Sequence, residues 1–285
     1  VRVKVTAPVR IDISSGWPDS DPYRSDFGGI VLNAAINLRV SACLNRELII
    51  SSGPVPPRSG LGASGALRSV EIVASNPHLI RNKTALIGKV HSFENEIVEN
   101  RAGFQDEAAS IYGGVSYWEF SRRGEIRREA ISRKRTQHLE DRLVLIYTGE
   151  THLSANIHDL VFGPNNYKRN MPTITRMKEI AAEMKDKLAD EGEMARLFVE
   201  TWALQRSLHP SIESGRMRIL QRCLKGKYFA ARATGAGGGG CMVFYTSDRS
   251  GLVRALHETR KKLFGMKVIP FKFDYRGIEC EFFRG

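Results

Sequence analysis

The 285 residues, with 42% hydrophobic and 26% charged side chains and no low-complexity tract, describe a folded chain of one large domain or two ordinary ones and exclude a disordered or fibrous protein. The 43 Lys and Arg against 31 Asp and Glu give a formal charge of +12, which attracts nucleic acid, anionic membranes and phosphorylated substrates alike and does not choose among them. No apolar stretch reaches the roughly 20 residues that span a bilayer, and the alternating start Val1-Arg2-Val3-Lys4-Val5 is unlike a signal peptide, so a soluble, cytoplasmic chain without a membrane partner is expected.

In chain order, Val3 to Thr6, Val9 to Ile13, Ile30 to Ile36 and Leu38 to Leu44 read as strands around a polar loop from Ser14 to Gly29. After Ile49-Ile50-Ser51 a Gly/Pro-rich loop runs into helix formers from Ala66, which end at Asn76-Pro77. Leu86, Val90, Phe93 and Ile97 form the apolar stripe of a second helix from Lys83, with Glu94 and Glu96 beside it. A short loop holding Gly103-Phe104-Gln105-Asp106, a helical turn and a Gly113-Gly114 break lead to a strand from Val115 to Phe120.

The basic stretch from Ser121 to Arg142 is the expected lobe boundary, set at 135/136 between an N-terminal lobe of residues 1–135 and a C-terminal lobe of residues 136–285. Beyond it come a strand from Leu143 to Tyr147, a helical stripe of Ile174, Met177, Ile180, Met184 and Leu188, and helices over Leu197 to Leu208 and Met217 to Leu224. Two strands, Tyr228 to Ala233 and Cys241 to Tyr245, flank a glycine loop, followed by a helix near Leu252 to Leu263 and a strand from Val268 to Phe273. The basic groups (Arg122-Arg123, Arg127-Arg128, Arg133-Lys134-Arg135, Arg260-Lys261-Lys262) lack interleaved aromatics and read as solvated surface rather than a nucleic-acid face. Cys43, Cys223, Cys241 and Cys280 are scattered without a CxxC pair, so reduced structural thiols are expected.

Three segments carry chemistry. In Pro56-Pro57-Arg58-Ser59-Gly60-Leu61-Gly62-Ala63-Ser64-Gly65, glycines let backbone N–H groups close on an anion while the following helix points its positive end at the same place. It is neither a Walker loop, lacking Gly-Lys-Ser/Thr, nor a GxGxxG fingerprint. In Thr234-Gly235-Ala236-Gly237-Gly238-Gly239-Gly240, the glycines exceed what a hairpin needs and suggest a close backbone approach. Asp106 stands in a loop beside the Glu-bearing helix, where a helix cap is the plain alternative.

Together these segments resemble the three signature motifs of the GHMP kinases, the family of galactokinase, homoserine kinase, mevalonate kinase and phosphomevalonate kinase. Ala7-Pro8-Val9-Arg10-Ile11-Asp12 is similar to the first motif, Pro56 to Gly65 to the second and Gly235 to Gly240 to the third. Gly16-Trp17-Pro18-Asp19, Gly28-Gly29, Gly103-x-Gln105-Asp106, Gly113-Gly114 and Tyr147-Thr148-Gly149 resemble the fucokinase and D-glycero-D-manno-heptose 7-phosphate kinase branch. The resemblance covers essentially the whole chain.

It implies a two-lobed α+β GHMP kinase fold, with a ribosomal protein S5 domain 2-like N-terminal lobe and a ferredoxin-like C-terminal lobe, and a cytoplasmic ATP- and Mg²⁺-dependent kinase acting on the anomeric hydroxyl of a sugar or sugar phosphate. D-glycero-D-manno-heptose 7-phosphate is the expected substrate, a free sugar such as fucose the alternative, and a homodimer is left open. The resemblance implies Asp106 as catalytic aspartate with Arg10 beside it, and Pro57, Ser59, Gly60, Leu61, Gly62, Ala63, Ser64 and Gly65 around ATP. Ser64 and Glu94 would hold the metal, with Glu96 the alternative, and Gly16, Trp17, Asp19, Gly237 and Gly238 would hold the sugar. Trp17 is read equally as a sugar-stacking or an internally packed ring. Ala63 and Gly65 depart from the serine or alanine of the second motif, implying one hydroxyl contact fewer, and Ser14 and Ser15 stand near positions where related sugar kinases carry glycine or alanine.

Overall fold

The computed structural model describes residues 2–97, 103–151, 154–259 and 263–283. Strand β1 (Arg2–Asp12) and strand β2 (Gly29–Leu44) form a long antiparallel hairpin, joined through a 3₁₀ turn at Trp17–Asp19 and the short helix α1 (Tyr23–Phe27). Each was expected as two strands. Register shifts between Pro8 and Val9, and because Pro8 has no N–H for the ladder the pairing is absorbed as an irregularity while the strand runs on.

Strand β3 (Leu48–Ser51) leads into the glycine-rich loop, then helix α2 (Ala63–Ser75), which buries Ala66, Val70 and Val73 on one face. Helix α3 (Lys83–Ser92) passes into a π-helical turn at Phe93–Ile97, so the expected single helix changes its winding just before Glu94. Helix α4 (Gln105–Tyr112) starts at the Gln105-Asp106 pair and is followed by β4 (Val115–Phe120). The stretch expected as a hydrophilic boundary holds β5 (Ile126–Ile131) and α5 (Arg133–Arg142) instead. β5 is exposed along most of its length, so it lacks the apolar alternation that reveals a half-buried strand.

The second half consists of β6 (Leu143–Tyr147), α6 (Ser154–Phe162), α7 (Tyr167–Lys187), α8 (Glu191–Leu208), α9 (Gly215–Cys223), β7 (Ala230–Ala233), β8 (Cys241–Tyr245), α10 (Arg249–Glu258), β9 (Lys267–Ile269) and β10 (Glu279–Phe283). One sheet runs β10-β1-β2-β4-β5 with β3 beside β2, and the other runs β7-β8-β6-β9. The division expected at 135/136 places β10 with the second lobe, whereas it pairs antiparallel with β1 in the first sheet. That pairing covers the backbone edge of β1 that would otherwise lie open.

The smaller sheet is buried on both faces. Leu143, Leu145, Val243 and Tyr245 face the core shared with the larger sheet, while Val144, Ile146, Met242 and Phe244 face a second core under α6, α9 and α10. Helices α7 and α8 feed both cores: Ile180, Met184, Leu197 and Phe198 enter the first, Ile174, Met177 and Trp202 the second. With each fully buried large apolar side chain contributing about 1.5–3 kcal/mol, the lobes are fixed against each other by packing as well as by chain connection. Among the described residues no helix is long and apolar enough to cross a membrane.

Candidate active site

Where the two sheets meet, a cavity of about 580 Å³ opens between the glycine-rich loop, the Trp17–Asp19 turn, the start of α4 and the loop after β7. One end is built from backbone. Arg10 on β1 donates its N–H to Leu61 O (2.9 Å) and its Nη1 to Gly60 O (2.6 Å), which ties the loop to the first strand. Gly60 has φ +74°, and a Cβ there would lie 2.2 Å from Thr234 O, so only glycine lets this loop close against the third segment. Helix α2 begins at Gly62 with no side-chain cap and no acidic residue in its first turn. Its first N–H groups and the positive end of its dipole are therefore available to an anion.

Arg10 and Asp106 meet at the middle of the cavity. Asp106 Oδ1 accepts from Arg10 Nε (2.8 Å) and lies 2.6 Å from Nη2, and no partner is recorded for Oδ2 among the described residues. Ser64 donates its hydroxyl to Glu94 Oε1 at 2.5 Å, with Glu94 only 1% exposed. Burial raises the Glu94 carboxyl above its ordinary range, and the Ser64 hydroxyl partly opposes that rise. A hydroxyl and a buried carboxylate are oxygen donors of the kind magnesium takes, and a metal whose other ligands are phosphate and water needs few protein groups, so the pair fits Mg²⁺. The side chain of Glu96 lies outside the described part of the structure.

The opposite end is built from side chains. Asp19, 1% exposed, accepts the Gln105 N–H on Oδ2 (2.8 Å), while its Oδ1 has no hydrogen-bond partner among the described residues. Gln105 Oε1 and Trp17 Nε1 are likewise buried without partners among the described residues, and all three residues border the cavity. Buried polar atoms are ordinarily satisfied, so three orphans carried by residues that line one cavity mark that wall as suited to a polar molecule. Burial pushes the Asp19 carboxyl well above the usual carboxylate range, with Asp106, Glu107 and Asp12 adding to the rise and the Gln105 N–H opposing it. Gly103 approaches so closely that a Cβ on it would lie 2.2 Å from Asp19 Oδ2. Trp17 packs its ring against His158 (centroids 4.9 Å apart) and Phe162 (5.6 Å), so it is a packed side chain that also forms cavity wall.

Of the residues expected from sequence, Arg10, Gly16, Trp17, Asp19, Pro57, Ser59, Gly60, Leu61, Gly62, Ala63, Ser64 and Asp106 border this cavity. Glu94 joins it through Ser64. Gly65 does not border it: its Cα packs against Asp106 and Glu107, where an added Cβ would lie 2.9 Å from Asp106 Cβ. Gly237 and Gly238 are also placed elsewhere, against Ile212 and Ile157, and Gly235 and Ala236 form the wall in their stead. Gln105 was legible as a neighbour of Asp106 but not as a lining residue, and His158 on α6 carried no local signal at all.

No family model matches the sequence. The D-glycero-alpha-D-manno-heptose 7-phosphate kinase of Campylobacter jejuni is 22% identical, the match covering 97% of this chain and 98% of that protein. The bifunctional fucokinase/GDP-fucose pyrophosphorylase of Arabidopsis thaliana is 21% identical over 87% of this chain and 30% of its own length. In fold, a D-glycero-D-manno-heptose 1-phosphate kinase crystal structure from Bacteroides thetaiotaomicron superposes with a TM-score of 0.76 at 19% identity, covering 99% of this chain and all of that one. In sequence and in fold the chain is thus similar to sugar kinases of the GHMP type. It has a two-lobed α+β fold and is an ATP-dependent sugar kinase.

Proposed function

We propose that this ATP-dependent sugar kinase phosphorylates the anomeric (C1) hydroxyl of D-glycero-D-manno-heptose 7-phosphate, using Mg²⁺. One observation carries the reading: a single cavity joins an uncapped helix N-terminus, a paired Arg10–Asp106 and a cluster of unsatisfied polar atoms, in that order. The full-length match to a heptose 7-phosphate kinase supports the choice of sugar.

The N–H groups around Gly62 to Ser64 bind the phosphates of ATP, and Ser64 with Glu94 would hold the metal, which supplies charge neutralisation on those phosphates. Asp19, Gln105 and Trp17 orient the sugar through one donor and two acceptors. With Arg10 occupying Oδ1, Asp106 receives the acceptor hydroxyl on Oδ2 and aims it at the γ-phosphate. Because phosphoryl transfer passes through a loose transition state, positioning and electrostatic stabilisation by Arg10 carry more weight than strong basicity of Asp106.

A free sugar such as fucose is the second reading, favoured by one feature. Among the described residues that line the cavity, the only Lys or Arg side chains are Arg10 and Arg58, both beside the phosphate loop, so no such cation stands at the sugar end. An ADP-release screen with Mg²⁺ over heptose 7-phosphate, other sugar phosphates, fucose and free heptoses tests both. Turnover of the 7-phosphate with little on the free heptose supports the first reading, and turnover of free sugars alone replaces it with the second.

A further inference from the structure

Arg232 on β7 and Asp12 at the end of β1 are both fully buried and stand outside the cavity wall. Arg232 Nη2 lies 3.1 Å from Asp12 Oδ2, and its Nη1 donates to Asp12 O (2.6 Å) and Ile13 O (2.9 Å). The Asp12 N–H goes to Thr234 Oγ1 (3.1 Å), and Asp12 Oδ1 accepts the Ser15 N–H (2.7 Å). Every polar contact of this knot falls where the chain leaves β1 for the Gly16-to-Asp19 segment. Just past the end of β7, Thr234 and Gly235 pack on Gly60, and at the start of the neighbouring β8 Cys241 donates its N–H to Ser59 O at 2.8 Å.

Stability alone is a poor reason for the knot. A buried ion pair recovers its desolvation only with full satisfaction, and Arg232 Nε has no acceptor, so an apolar pair of equal volume would hold the lobes as well. An apolar pair would not supply direction. Ser15 is held at φ +115°, a strained backbone for a non-glycine residue, and its N–H is fixed by Asp12. The strain is maintained immediately before Gly16, Trp17 and Asp19.

We infer that Asp12 and Arg232 are positioning residues, which set the sugar-binding turn at a fixed distance and angle from the phosphate loop by anchoring both to the end of β7. The inference rests on the sugar-kinase reading. It requires that loosening the knot disturb the sugar end while the backbone-built phosphate end, held also by Arg10, keeps its shape.

The test measures sugar KM, kcat, the Kd of a fluorescent ADP analogue and the Tm for wild type, Arg232→Met and Arg232→Lys. Because an ångström of misplacement is worth as much as about a hundredfold in rate, Arg232→Met is expected to raise sugar KM and lower kcat by about tenfold or more. The Kd for the ADP analogue stays within about threefold of wild type, and Arg232→Lys, which can still reach Asp12, recovers most of the loss. A folded Arg232→Met with wild-type sugar KM and kcat, or one that weakens sugar and nucleotide equally, overturns the inference. If Arg232→Met does not fold, Thr234→Val carries the test by removing only the acceptor of the Asp12 N–H. A rise of about threefold in sugar KM with unchanged ADP-analogue Kd is then expected, and an unchanged KM overturns the inference. Wild type that turns over no sugar removes the kinase reading and this inference with it, an outcome distinct from active wild type with indifferent variants.

Discussion

The two ends of the cavity are made by different means. The end proposed to hold phosphate is almost entirely backbone: contiguous residues from Ser59 to Ser64, an uncapped helix start and one anchoring arginine. The end proposed to hold the sugar is side chain, drawn from the Trp17–Asp19 turn, the start of α4 and His158 of α6. Backbone amides bind any phosphate alike, so the first end carries the chemistry common to a kinase. Side-chain donors and acceptors in a fixed arrangement discriminate among hydroxyl patterns, so the second end carries the choice of acceptor.

Substitutions should separate the two ends. The largest effect is expected between them: Asp106→Ala lowers kcat by about 10²–10⁴-fold while nucleotide Kd stays near wild type, read by ADP release and by titration with a fluorescent nucleotide. Unchanged turnover would remove Asp106 from the reaction. At the phosphate end, Gly60→Ala forces a Cβ against Thr234 O and strains a positive φ, costing about 1–3 kcal/mol. It should weaken nucleotide Kd by about tenfold or more, and a wild-type Kd would show that the loop is not a cradle.

At the end proposed for the sugar, Asp19→Ala removes the acceptor of the Gln105 N–H and a carboxylate bordering the cavity, an expected loss of about 1–3 kcal/mol that appears as a 5- to 150-fold rise in sugar KM. Nucleotide Kd should not follow; if both rise together, the two ends are not separable. The smallest expected effect concerns Glu107, which lies buried against Gly65 behind the junction. Burial, with Glu94 and Asp106 nearby, pushes its carboxyl well above the usual value of 4.5. A raised folded-state pKa means that its contribution is fully present below the ordinary carboxylate range and is lost as pH rises through the elevated value. Glu107→Gln should therefore raise Tm at pH 8, by about 2–4 °C for each kcal/mol, with the gain vanishing toward pH 4. A gain that grows on acidification would reverse the sign of the argument.

Legibility in the sequence follows the same division. Val115 to Phe120, Leu143 to Tyr147 and Cys241 to Tyr245 were bounded correctly because buried, apolar strands between glycine breaks leave a local pattern. β10 and α6 left none that was recognised, and β5 with α5 looked like a charged linker because their solvent faces dominate. In the cavity wall, Gly60 to Ser64, Arg10 and Asp106 stand where the motifs led one to expect, whereas Gly237 and Gly238, expected at the sugar from the family resemblance, pack against Ile212 and Ile157. A glycine run announces close approach without saying to what.

What the sequence alone determined is local: a loop with glycine at Gly60, Gly62 and Gly65, the helix that follows it, and the motif residues Arg10 and Asp106, all of which depend on residues near one another in the chain or on a recognisable motif. Tertiary structure decided the rest. Only the meeting of two sheets brought Asp19, Gln105 and Trp17 to the wall of one cavity, placed His158 beside Trp17, and set Arg232 against Asp12 across 220 positions of sequence. Burial is what gives those contacts their force, since a polar atom without a partner costs most where water cannot reach it, and burial belongs to the packed molecule rather than to any segment of it.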